Sequence, residues 1–582
     1  MGVLRLTAFS GEQPRITPRL LPDTAAQEAR DVRLDDGGLT PTRQPVQVTT
    51  ATESHQTIYR HGSTWLSWAG VVDAVPGPVA QDRLYFTGDG APKVMAGGTT
   101  YPLAVPAPAS AVTAALSGTA TGTEVVTRVY VFTWVTSLGE ESEPSPASNE
   151  VSWLPGQTVT LSGFPAVPSG RGITHQRIYR TQTGTSGTYL YLIAERAAGT
   201  GNYVDTVPVD AFNEPLPSAD WTASPDGLTG LTALPNGMMA AFEGKDLYFC
   251  EPWRPHAWPE KYVITTDYPI VGIASINTSI VVMTTGQPYL VSGTHPGTMV
   301  AEKIEQNLPC INARGIADLG YVVAYPSHDG LVAVSGDGST RLITSNLFSR
   351  EKWLELSPQT AIAGQLSGRY CMFYDTVDKD ANVTAGVIVI DAGGTPFLSR
   401  SSERATAVWY DMETSALYYL EAGSNQIMQM DPVSGGLKTL TWRSKPFVLP
   451  APQNFGAIMI DAESALTPGE LSKLEAERQA VIDSNAAWIA GADPLGGAIG
   501  GHAIAQVVIC GDLLPIVPAS AFDTVEVSVL ADGALVATIT DPNRANRLPG
   551  GFLAREWSLS VSSRVTITQI RMGHTIADLQ QA

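Results

Sequence analysis

A spacing constrains this chain more than any single motif. Apolar strand pairs begin near Leu228, Ile270, Ala313, Ala361 and Ala405, a repeat of roughly 42 to 48 residues, inside the range of about 40 to 50 for β-propeller blades. Residues 236–250, 279–293, 321–335 and 415–429 each read as apolar strand, turn, apolar strand, which is hairpin code. An earlier copy is read in Thr57–Trp68 together with Arg83–Phe86. The period predicts a propeller of six or seven blades; a stack of β-sandwiches is the alternative, though sandwiches seldom repeat so evenly.

Composition agrees with a mainly all-β class. The 582 residues hold 55 glycines and 41 prolines, and 43% are hydrophobic, enough to fill several cores. Net charge is −20, which argues against gripping nucleic acid or an anionic membrane through phosphate contacts. It does not exclude a conduit, since a channel that lets DNA slide needs a neutral or repulsive lining. Simple solubility is the plainer account of the same charge.

Domain boundaries follow from changes of pattern. Residues 1–50 form an N-terminal arm with platform strands, and 51–107 the first propeller part. Residues 108–217 carry an inserted fibronectin type III-like β-sandwich, signalled by the alternation in Tyr130–Thr136 and the strands near Ile178, Tyr189 and Tyr203. The main blades occupy 218–450. The C-terminal region, 451–582, opens with a long helix over 467–490, where Thr467, Pro468 and Glu470 make a capped start.

No catalytic pattern stands out, and the chain is not expected to be an enzyme. The eight histidines fall in no zinc-binding arrangement, and no phosphate-cradling loop is present. Asp375, Asp378 and Asp380 lack a glutamate at EF-hand spacing and read as a solvated turn. Cys250, Cys310, Cys371 and Cys510 lie far apart, as buried free thiols do in a reducing compartment. No cofactor or metal is expected. Neither a secretory leader nor a membrane span is read in the chain.

The two ends carry the most specific signal. Pro14, Pro18 and Pro22 stiffen the arm, Thr24 with Gln27 reads as a capping box opening a short helix over 25–30, and Asp35–Gly38 reads as a turn. The opening Phe9-x-Gly11-x-x-Pro14-Arg15, followed by Ala26-x-x-Ala29 and Gly37-x-Leu39-x-Pro41, resembles the start of the tail nozzle proteins (tail tubular protein B-like) of short-tailed bacteriophages. Asp31 stands where that pattern has asparagine. The run Arg547-Leu-Pro-x-Gly-Phe-x-Ala-Arg-x-Trp557 resembles the C-terminal end of the same family.

The resemblance implies a structural virion protein in the tail: a homohexameric ring attached below the portal and the head-to-tail adaptor, assembled in the host cytoplasm. Its lumen would pass DNA without specific binding. Tail fibres or a plug would dock on the inserted domain. Candidate assembly contacts are Phe9, Pro14, Arg15, Arg19, Trp253, Trp258 and Trp488. Packing on the chain's own domain is the plain alternative for the arm, the Trp253–Pro259 loop and the helix. The other function class is a glycan-binding or glycan-cleaving propeller tail protein for host recognition.

Overall fold

The computed structural model describes residues 3–52, 55–184, 187–211, 213–377, 383–463, 468–491, 515, 517 and 525–580. Seven propeller units follow one another around a ring. Blade 1 is a hairpin, Thr57–His61 with Thr64–Trp68. Blade 2 spans 73–102, blade 3 spans 229–265, blade 4 spans 270–303, blade 5 spans 317–342 and blade 6 spans 362–401. Each is antiparallel and four-stranded. Blade 7 has three strands from 405–429, and Val46–Thr50 supplies its fourth. The first strands of successive blades touch from blade 2 through blade 7 and on to blade 1. Trp68 meets Phe86 at 5.4 Å between ring centroids where blade 1 adjoins blade 2.

Blades 2 to 6 form where consecutive strands pair, each strand with its successor along the chain. Their interiors are aliphatic and aromatic: Leu247, Ile280, Val282 and Val291 fill the seam of blades 3 and 4, and Ile388, Ile390 and Trp353 fill that of blades 5 and 6. The reading that joined Thr57–Trp68 with Arg83–Phe86 is corrected, for these segments belong to two blades.

The insert is a β-sandwich. One sheet holds Thr113–Ser117, Thr158–Ser162 and Tyr203–Asp205; the other holds Tyr130–Thr136, Ile173–Gly184 and Gly187–Ala197. Tyr130, Phe132, Trp134, Leu161 and Ile178 pack between them. The insert is keyed to the propeller by buried and half-buried polar contacts. Arg83 Nη2 of blade 2 donates to Leu138 O at 3.1 Å, and His256 Nε2 of blade 3 lies 3.1 Å from Glu141 O. Glu140 pairs with Arg171, whose Nη2 also donates to Leu103 O at 3.2 Å. Burial pulls the His256 imidazole down to about 4, so the ring is neutral and its Nε2–H is the donor to Glu141 O.

Both ends of the chain build the platform. Leu4–Leu6 pairs with Thr566–Gly573, which pairs with Ala457–Glu463. Ala26–Arg30 pairs with Leu440–Ser444, and that strand with Ala554–Ser563. Arg30 also sits opposite Arg400 in a parallel bridge, which merges blade 6 and the platform into one ten-stranded sheet.

Three expectations are corrected here. Residues 25–30 are not a helix: Ala26–Arg30 is a strand, with Ala26 and Ala29 buried, because pairing on both sides outweighs the local capping signal. Residues 46–50 belong to the propeller, not to the arm. The platform begins at Leu440 rather than 451. The long helix is Pro468–Gly491; Thr467, Asp378, Asp380 and Cys510 lie outside the described residues.

Candidate functional site

The arm is anchored before it becomes exposed. Phe9 is 4% exposed and meets Trp442 edge-on at 5.1 Å, in a core shared with Leu6, Phe455, Trp557 and Ile567. Glu12 is buried, accepts the Ala29 N–H at 2.9 Å and pairs with Arg400 Nε at 2.8 Å. Desolvation pushes its carboxyl up against the opposing pull of Arg400.

The chain then surfaces as a proline-stiffened loop, Pro14 to Leu20, ending in a short turn at Pro18–Leu20. Arg15 reaches Ser345 O at the end of blade 5, and Arg19 pairs with Glu556 of the platform at 2.9 Å. The loop therefore straddles propeller and platform, and it presents Leu20 at 77% exposure.

A charged cleft lies between blade 6, blade 7 and the platform, lined by Asp31, Arg33, Arg43, Arg369, Lys438 and Asp431 among others. Lys438 Nζ binds Asp31 Oδ1 and Ser401 Oγ, each at 2.9 Å, and pairs with Glu403. Asp431 Oδ1 accepts the Arg43 N–H at 2.6 Å. Opposite charges alternate across the cleft, so it acts as a clamp between blades and platform rather than a receptor for one sign of ion.

The aromatic loop divides the same way as the arm. Trp258 is 1% exposed and donates Nε1–H to Pro255 O at 2.8 Å. Trp253 is 52% exposed, with φ at +62°, and its indole lies on Gly237, where an added Cβ would come within 2.4 Å of Trp253 Cδ2. Trp488 is exposed on the long helix. Phe9 and Trp258 are thus removed from the candidate contacts, since buried rings are already used within the chain. Pro14, Arg15, Arg19, Trp253 and Trp488 stay accessible.

Arg314, which pattern reading missed, sits in the turn entering blade 5. Its Nη2 donates to Gln56 O at 2.8 Å and also to Thr406 O of blade 7. It ties three blades together on the axial side, and desolvation alone lowers its affinity for a proton. The Cys250, Cys310 and Cys371 thiols are each pushed up to about 12 by burial, which makes them unreactive packing groups. Among the described residues no cluster could hold a metal ion, and no helix is long and apolar enough to cross a membrane.

No family model and no curated protein matches the chain. Among solved structures it is similar to the N-terminal domain of Nup159, at 10% identity over 43% of this chain and 71% of that one, with a TM-score of 0.24. It is also similar to the Pan2 WD40 domain of Neurospora crassa, at 8% identity over 62% and 90%, with a TM-score of 0.27. At such scores the likeness carries no argument, and the propeller assignment rests on the strand pairing above.

Proposed function

We propose that this chain is a subunit of a phage tail nozzle: a structural protein that forms a homohexameric ring under the head-to-tail adaptor and encloses the path of the ejected genome. One observation supports it above the others. The two family-like motifs, more than 500 residues apart in sequence, meet in one platform, where Phe9 and Trp557 share a core and Arg19 pairs with Glu556. A resemblance carried by both ends is then a resemblance of one structural unit. A ring suits such a chain because a heterologous contact closes when the rotation per copy divides the circle. Arg314 bridges blades near the propeller axis, so the conduit in this reading lies between subunits. The clamps at both joints suit a body that bears load without changing shape.

The test is direct. Purified chain mixed with its adaptor ring is weighed by light scattering and imaged by electron microscopy. Six-fold rings are expected; a monomer in the presence of adaptor would overturn the proposal. The glycan-recognition alternative has one observation in its favour, the rigidly seated and half-open face of Trp253, a surface on which a sugar ring could stack. Glycan-array binding that Trp253→Ala abolishes would favour it.

A further inference from the structure

The joint between insert and propeller divides cleanly by side. The insert brings Leu138, Glu140, Glu141 and Arg171; the propeller brings Arg83 and Tyr85 of blade 2, with His256 and Trp258 from the loop before the last strand of blade 3. Leu138 packs on a core that holds Tyr85, Leu103 and Trp258. His256 is 3% exposed and meets Trp221 edge-on at 5.6 Å.

The Glu141 carbonyl takes the Nε2–H of this ring, which leaves Nδ1 of the neutral imidazole as an acceptor. Nδ1 lies 4.0 Å from Glu140 Oε1, and neither atom has a hydrogen-bond partner among the described residues. Two buried acceptors therefore face each other. A proton on Nδ1 would find that carboxylate already committed, since Glu140 Oε2 pairs with Arg171 and Arg83 Nη1 approaches Oε1 to 4.0 Å. Arg171 and Arg254, the other charges facing the ring, repel an imidazolium. Inside the joint a charged ring meets three guanidiniums and one carboxylate; once exposed, it is solvated freely.

From this arrangement we propose that the joint is an acid-released latch, in which protonation of His256 at Nδ1 frees the Leu138–Ser142 loop of the insert from blades 2 and 3. Glu140 and Arg171 both belong to the insert, so their ion pair survives opening while His256 gains solvent. Burial holds the ring at about 4 in the closed joint, against an ordinary value of 6.5. Closure is thus fully favoured above 6.5 and weakens as pH falls towards 4. At neutral pH the latch stays shut. Two carboxyls act in the opposite sense: burial raises Glu143, which Glu260 and Asp220 crowd across the joint, and Asp73 at the neighbouring seam of blades 2 and 3. Both remain in a His256 variant, which isolates the part of the imidazole.

The test compares the full chain with His256→Gln, whose amide can donate to the Glu141 carbonyl but does not titrate. Amide exchange of residues 138–142 and 254–258 is measured at pH 7.5 and pH 5, with the intrinsic pH dependence of exchange divided out. Opening of the native joint should increase roughly thirtyfold on acidification, and that of the variant should change less than about threefold. Should the variant fail to fold, magnetic resonance of the histidine-labelled native chain decides, with the His256 ring expected to titrate at about 4. A ring midpoint at or above 6.5, native exchange that does not respond to pH, or an equal response in the variant overturns the inference. So does exchange that slows in acid, which would mean that the protonated ring pairs with Glu140 and tightens the joint.

Discussion

The propeller and the platform are made of the same kinds of strand, yet they are assembled in opposite ways. Within blades 2 to 6 each strand pairs with its immediate successor. In the platform, Leu4–Leu6 pairs with Thr566–Gly573, and Ala26–Arg30 with Leu440–Ser444. Local pairing closes short loops at small entropic cost and leaves a period in the sequence. Non-local pairing leaves no period and depends on buried contacts between distant segments. The difference teaches that the propeller can lose a piece of its surroundings and keep its blades, whereas the platform stands only when both chain ends are present.

The sharpest way to break this contrast is to delete residues 1–22. That removes the Leu4–Leu6 strand, Phe9 and Glu12 together, and calorimetry should show the platform transition lost while a propeller transition remains. A single cooperative loss of both would show that the merged ten-stranded sheet couples them fully. Next in size is Glu12→Ala, which removes the carboxylate paired with Arg400 where platform meets blade 6. Breaking a buried pair costs about 3–5 kcal/mol, so denaturant midpoints should fall, and amide exchange should accelerate in 26–30 and 397–401 before the other blades.

A smaller effect, confined to the propeller, comes from Asp73 at the seam of blades 2 and 3. Desolvation raises its carboxyl to about 6 against the Gly230 N–H that it accepts at 3.1 Å. The folded state thus holds the proton more tightly than the unfolded chain. This contribution is complete below the ordinary carboxylate value and is lost as pH rises through about 6. Asp73→Asn should therefore stabilise by about 1–3 kcal/mol at pH 8 and leave the melting temperature unchanged at pH 4. An equal gain at both values would exclude titration as the cause.

The smallest thermodynamic effect is expected from Arg15→Ala with Arg19→Ala. The Arg19–Glu556 pair is exposed, and such pairs contribute about 0–1 kcal/mol. Melting should scarcely move, while ring formation on the adaptor should fall. Unchanged assembly would return the loop to a purely internal role.

Legibility followed the same divide. Blade starts near Leu228, Ile270, Ala361 and Ala405 fell within a residue of the observed strands, because Gly- and Asn-bearing turns recur at fixed distance from apolar runs. The long helix, Pro468–Gly491, was equally plain, since helix-start signals in sequence are local. Residues 25–30 misled for the converse reason: a local capping pattern was present, but Ala26 and Ala29 are drawn into a sheet by Trp442 and its neighbours. Of the candidate contacts, no pattern distinguishes Trp253 from Trp258, five residues apart, one half-open on Gly237 and the other sealed in the core.

By itself the sequence determined what depends on neighbours along the chain: the blade repeat, the turns and the helix start. Only the tertiary structure decided that blade 1 has two strands among the described residues, that residues 46–50 close blade 7, and that the two ends meet around Phe9, Trp442 and Trp557. Those outcomes are set by burial and pairing between segments hundreds of residues apart. Their free energy appears only when the whole ring and platform have closed.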